Sequence, residues 1–420
     1  VTHQSDATGG TPAEPVDSLK AFAAGSGFAP TFALAAACCR WPPSESRNAA
    51  VRAAASAIGD WDDFLGQVNR QRVAGLVYAA LTAAEIALPP AITARLTARA
   101  QQITRRSLGY AAETIRLQRA FEAANIPVLV LKGVALAQLA YGSLQSKDSR
   151  DIDFLIAPEN VEAALRLLES EDYALSYPAG HLSKTQRRAV FHYAREVQLS
   201  HRDHKLRVEL QWRATNNPLL LKGVDAHAPS QFVRLGDGTR VRTLAQEDLF
   251  AYLCVHGAQH AWSRLKWLAD LNALITESNG SIERLYRHAQ PLGAAYCAGQ
   301  ALLLCNQILE LKLPPSLADE IERDGRSQRL AKMAVLTMVD GRAEAQTGRS
   351  FVSKIRVILA QFLLGKGWAF FWAEYRVEFV RIRDVIDFPL PAFLHFLYPL
   401  VRLPLWLWRR AVAAVPRRRG

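Results

Sequence analysis

The chain has 420 residues, half of them apolar and about a fifth charged, with a formal net charge of +12 at pH 7. That is the composition of a globular protein with a sizeable core, and the length suits two or three domains better than one small one. The charge is concentrated: residues 351–420 hold 12 Lys and Arg against 4 Asp and Glu, so the basic character describes the tail and says little about a catalytic site.

Residues 1–29 are rich in Gly, Ser, Thr, Ala, Asp and Pro and lack an apolar run. They are expected to form a disordered lead, neither signal peptide nor anchor. Residues 30–104 read as a helical N-terminal region. FALAAACCRW is an apolar helix stopped by Pro42-Pro43. WDDFLGQVNRQRVAGLVYAALTAA places Phe64, Val68, Val73, Leu76 and Val77 at three-to-four spacing. One or two more helices follow the break at Pro89-Pro90. The five cysteines (Cys38, Cys39, Cys254, Cys297 and Cys305) are odd in number and show no paired spacing. Free buried thiols in a reducing cytoplasm are expected.

The stretch Pro127–Ile156, PVLVLKGVALAQLAYGSLQSKDSRDIDFLI, reads as strand, glycine turn, helix, loop, strand. Val128–Leu131 form a continuous apolar run suited to a buried strand. Gly133 allows backbone N–H groups to approach a phosphate closely, and Lys132 can add a point charge. The second strand carries Asp151 and Asp153, whose side chains point to one face. Two such carboxylates repel unless a cation lies between them, and Mg²⁺ suits an all-oxygen site. Arg150, just before the pair, is placed to neutralise triphosphate charge or to hold the carboxylates. A lone Asp-x-Asp could equally be solvated; the Lys-Gly turn upstream and Phe154-Leu155-Ile156 downstream favour a site.

The pattern LKG, Tyr141, SRDIDFLI resembles the bacterial uncharacterised nucleotidyltransferases of the polymerase-β-like superfamily, over roughly residues 30–300. The resemblance implies an α+β fold with a small mixed sheet flanked by helices. It also implies transfer of a nucleoside monophosphate from an NTP by two metals, Mg²⁺ or Mn²⁺, held by three carboxylates. Asp151 and Asp153 match the pair, and Glu209 in the alternating run LRVELQW is the third candidate. Where the family shows His before Trp, this chain has Gln211 before Trp212. Where the wider superfamily shows Gly-Ser, this chain has Gly133-Val134. On this reading residues 105–215 form the catalytic core. Within it ENVEAALRLLESED is a helix, and AVFHYAREVQLSH and HKLRVELQWRA form an antiparallel pair around a polar turn. His192, His201 and His204 lack zinc-ligand spacing.

Residues 216–345 read as a mostly helical C-terminal domain. LFAYLCVHGAQHAWSRLKWLADLNALI would carry His256 and His260 on one helix face. No Glu follows the first His, so a zinc-protease motif is excluded. The resemblance extends to His256, His260, Trp262, Arg264, Trp267 and Asp270, as the far wall of the nucleotide cleft and in helix-to-domain packing; Trp262 and Trp267 read equally well as core and Asp270 as a structural ion-pair partner, while Arg264 and Lys266 suit triphosphate or acceptor contact. Residues 346–420 form a basic, aromatic, helical tail outside the resemblance. Pro389, Pro391, Pro399 and Pro404, with His395 and Arg402, argue against a transmembrane span. An interfacial helix edged by Trp406, Trp408, Arg409 and Arg410, or a helix that docks an acidic partner, fits better. The function expected is metal-dependent nucleotidyl transfer to a peptide, sugar or small molecule in a biosynthetic or modification pathway. The protein is expected to be cytoplasmic, or peripheral at the membrane. The alternative is a non-catalytic binding or regulatory module on the same fold.

Overall fold

The computed structural model describes residues 28–178, 183–236, 238–277, 281–347, 351–388, 390–398, 400 and 404. Five strands form one mixed sheet: β1 (Val128–Val130), β2 (Ile152–Ile156), β3 (Tyr173–Tyr177), β4 (Glu196–His201) and β5 (Arg207–Gln211), in the order β1-β2-β5-β4-β3. The β2–β5 pair is parallel and the other pairs are antiparallel. The fold is α+β, with helices dominating.

The alternation of β2, β4 and β5 sorts the sheet into two faces. Ile152, Phe154, Ile156, Val197, Leu199, Val208 and Leu210 enter one buried cluster. The helix Pro90–Ala123 covers that face through Tyr110, Leu117 and Phe121, and Phe121 meets Phe154 edge-on at 5.3 Å. The opposite face carries Asp153, Glu209, Gln211 and Gln198. A second, larger cluster joins the N-terminal helices to those after residue 245, with Leu129, Leu131 and Leu155 of the sheet in it. The carboxylate face is thus roofed by segments far apart in sequence.

Several elements differ from the sequence expectation. AVFHY belongs to a helix, Lys184–Tyr193, and not to a strand; Ser183 and Gln186 form a reciprocal capping box that sets its start. Only Glu196–His201 pairs with β5. The run from Trp61 is two helices, Trp61–Gln71 and Ala74–Ala83, broken at Arg72, which is left-handed at φ 58. The 34 residues Pro90–Ala123 are one helix. The segment from Leu249 is likewise two helices, Gln246–Gln259 and Leu265–Glu277; the break follows His260, which caps the first, so His256 and His260 still stand one turn apart with their rings at 4.6 Å. Ala261 and Trp262 are left-handed at φ 47 and 48. This turn drives the Trp262 ring onto Gly257, where a Cβ would meet it at 2.3 Å. Burying Trp262 completely outweighs the helix continuity lost. A hairpin, β6 (Ser230–Leu235) and β7 (Thr239–Leu244), precedes the C-terminal helices and lies against β1.

Tail helices Phe351–Leu363, Gly367–Phe379 and Ile382–Asp387 follow. Among the described residues no helix is long and apolar enough to cross a membrane. Trp406, Trp408, Arg409 and Arg410 lie outside the described residues.

Candidate functional site

The parallel register pairs Asp153 with Glu209, and the antiparallel register pairs Glu209 with Gln198. These three side chains form a cross-strand row on the roofed face. Asp151 stands one residue before β2 rather than within it. Asp151, Asp153 and Glu209 all line one cavity of about 290 Å³. Lys132, Gly133, Arg264 and Lys266 line it too. Arg150 does not: it turns to Asp148, with Nη2 to Oδ2 at 2.9 Å, and Asp148 also takes Arg99 and Arg106. That cluster fixes the loop leading into the acidic pair.

Gly133 opens the helix Gly133–Tyr141 at φ 60, and a Cβ there would sit 3.4 Å from the Asp151 carbonyl oxygen. Only glycine takes this conformation without strain. Lys132 Nζ contacts Asp153 Oδ1 at 2.9 Å, so the lysine holds the carboxylate. Gln211, fully buried, donates Nε2 to the same oxygen at 3.0 Å. This is the position where the resembling family shows His, and the amide here steadies Asp153. The Asp153 carboxylate also shares a hydrogen bond with the Glu209 carboxyl.

Burial opposes charge on Asp153, yet the Lys132 ammonium keeps its carboxyl below the ordinary value. Burial and the neighbouring Asp153 charge push Glu209 up to about 9. The same two causes raise Asp151. The arrangement therefore keeps a negative charge on Asp153 and a proton on Glu209 at neutral pH. Among the described residues no three His, Cys, Asp or Glu side chains form a closed ligand set. A proton shared between buried Asp153 and Glu209 for want of positive charge nevertheless marks oxygen donors at which a hard divalent cation would replace that proton. The residues present fit such an ion.

The opposite wall is cationic. Arg264 and Lys266 lie over the Trp267 ring at 5.6 and 5.5 Å. Burial, then the nearby Lys147 charge, lowers Lys266 to about 7. Lys147 pairs with Asp270, which also accepts from the Tyr141 hydroxyl at 3.0 Å. His260 stacks on Trp267 at 4.7 Å and is held neutral by burial and Lys132, its pKa about 3; burial likewise keeps His256 neutral. His201 Nδ1 accepts the backbone N–H groups of Asp203 and His204 at 3.1 and 3.2 Å, a turn-stabilising contact.

Arg72, Lys147, Ser149, Arg195 and Glu196 also line the cavity, although no sequence pattern singled them out. Ser149 Oγ is buried and unpartnered, and it supplies a hydroxyl near the Gly133 turn that Val134 cannot. Its signal lay in the same loop, two residues before Asp151. Arg72 reaches the site because the helix breaks there, which no local pattern announces.

A family model described as "Uncharacterised nucleotidyltransferase" matches residues 59–310, well over half of the chain. Neither a curated protein nor a solved structure matches it.

Proposed function

Because the chain belongs to this nucleotidyltransferase family, we propose that it moves a nucleoside monophosphate from an NTP to a hydroxyl or phosphate acceptor, in a biosynthetic or modification pathway. The observation that carries this reading is one cavity with carboxylates from two neighbouring strands on one side and Arg72, Arg264 and Lys266 on the other. Triphosphate charge belongs against the cationic wall. The low proton affinity of Lys266 records a buried cation that lacks sufficient counter-charge, which an anion restores. Ser149 and the backbone at Gly133 are placed to contact phosphate oxygens.

In the transfer an acceptor oxygen forms a bond to the α-phosphorus, the bond from that phosphorus to the bridging oxygen breaks, and pyrophosphate leaves with the electron pair. Glu209, once it has released its own proton, takes the acceptor proton, for which its surroundings raise its affinity. Asp151, Asp153 and Glu209 would hold Mg²⁺ or Mn²⁺, which supplies charge neutralisation at the triphosphate and acidifies the acceptor. Lys132 and Gln211 position Asp153. The protein's contribution is placement and fixed charge.

The test is pyrophosphate release from each NTP with Mg²⁺, comparing the wild type with Asp151→Asn. Activity lost at least 100-fold in the variant supports the assignment; equal activity refutes it. NTP binding without turnover in the wild type favours the binding module instead. Exposed Trp368 and Trp372 on the basic tail support its reading as a contact surface for an acidic partner or a membrane.

A further inference from the structure

Beside the carboxylate cavity lies a second, wider cleft of about 960 Å³. Arg195 and Glu196 line both, paired to each other at 2.9 Å, so the two spaces adjoin at this pair. One wall of the cleft comes from the sheet and the helix Lys184–Tyr193, and bears Tyr177 and Tyr193. The other comes from tail residues 373–384 and bears Arg376 and Arg381. These two arginines have no ion-pair partner among the described residues, whereas Arg383 on the same wall pairs with Asp387 at 3.8 Å. Both lie close enough to the tyrosines for their charges to act on them, Arg376 on Tyr193 and Arg381 on Tyr177.

We propose that this cleft seats the acceptor, and that the acceptor is a small molecule carrying a phosphate monoester, anchored by Arg376 and Arg381, with its body against Tyr177 and Tyr193. The proposal rests on the transferase reading and deepens it. A cavity of this size holds a molecule of some tens of heavy atoms. Guanidinium groups recognise phosphate through paired N–H donors, and two of them suit a dianion better than a single carboxylate. The cleft adjoins the carboxylate cavity at Glu196, on the strand that pairs with the one carrying Glu209. A hydroxyl of the anchored molecule attacks the α-phosphorus, pyrophosphate leaves, and the anchoring phosphate is unchanged. The donor half of the site falls within residues 59–310 that match the family, whereas the arginine wall falls beyond them. Acceptor choice is thereby built from a part of the chain outside the family match.

The experiment uses the full chain and two probes, phenyl phosphate and phenol, titrated calorimetrically in the presence of a non-hydrolysable NTP analogue. Phenyl phosphate binding, with phenol at least 10-fold weaker, and a loss of at least 10-fold in Arg376→Ala/Arg381→Ala, are expected. Affinity for the NTP analogue should stay within twofold in that variant. Phosphate binding that is unchanged in the double variant, or that competes with the NTP analogue, overturns the proposal. The Arg376→Lys/Arg381→Lys variant should retain part of the affinity; complete loss in both variants with a lowered melting temperature indicates damaged packing and counts against it. Phenyl phosphate binding that survives Asp151→Asn keeps this cleft assignment even where transfer itself fails. Pyrophosphate release driven equally by neutral acceptors keeps the transferase reading and sinks this one.

Discussion

Replacing Glu209 by Gln tests the electrostatics of the carboxylate row directly. In the folded chain the Glu209 carboxyl sits at about 9 instead of the ordinary 4.5. A carboxyl whose folded pKa is raised contributes its full stability below the unfolded value, and loses it as pH rises through the folded value. Between pH 4.5 and 9 the folded state therefore holds a proton that the unfolded state has released. The cost grows by about 1.4 kcal/mol per pH unit. At pH 5 it is under about 1 kcal/mol, and at pH 7 it reaches about 3 kcal/mol. Glutamine mimics the protonated form at every pH. With EDTA present, Glu209→Gln should melt close to the wild type at pH 5 and roughly 5 °C higher at pH 7. Saturating Mg²⁺ should close most of that gap, because a ligand at 100 times its dissociation constant stabilises the wild type by about 2.7 kcal/mol and the variant far less. The readout is thermal melting from pH 5 to 8 with EDTA or Mg²⁺. A wild-type profile flat across that range in EDTA, or a variant less stable at pH 7, refutes the reasoning.

Gln211→Leu removes one of the two donors on Asp153 Oδ1 and should lower transfer 10- to 100-fold, the range of outer-shell losses at metal sites; steady-state rates with a Mg²⁺ titration read it. Lys132→Ala leaves Asp153 without its buried partner, a loss of about 3–5 kcal/mol, and should make the melting temperature more responsive to Mg²⁺ than in the wild type. Unchanged or weaker Mg²⁺ stabilisation would show that the lysine does not compete for that oxygen. Burial, opposed by an Asn217 hydrogen bond at 2.6 Å, raises Glu374 to about 7. Its folded value lies above the unfolded one, so stability is lost from pH 4.5 to 7; denaturant melts of Glu374→Gln should show that slope reduced.

The strand–glycine–helix–loop–strand unit was legible because each part has a local cause: an apolar run, a residue tolerant of positive φ, a second apolar run with acids at spacing two. Glu209 was legible through alternation, since a period-two pattern fixes its face once Val208 and Leu210 are buried. The helix–strand switch at Ala194 was not, because VFHY suits either state and the capping box at Ser183 decides it. The hairpin was overlooked despite a fair signal, Gly236-Asp237-Gly238 between alternating runs. The breaks at Arg72 and His260 depend on tertiary packing, of Trp262 onto Gly257 in the second case, and the pattern alone reads straight through them.

Those breaks matter more than their size suggests. An unbroken helix through residues 246–277 would carry Arg264 and Lys266 past the sheet; the left-handed turn at Ala261 and Trp262 redirects the second helix so that both cations face the carboxylates. The break at Arg72 brings a third cation to the same wall from the N-terminal helices. The acids come from neighbouring strands of the sheet, whereas the opposing charges come from two separated segments held by one hydrophobic cluster. Acidic and cationic walls therefore stand on different supports, and the space between them is set by helix packing rather than by the sheet. A ligand that carries both a bound cation and a triphosphate satisfies the two walls together, which neither wall can do for the other without closing the cavity.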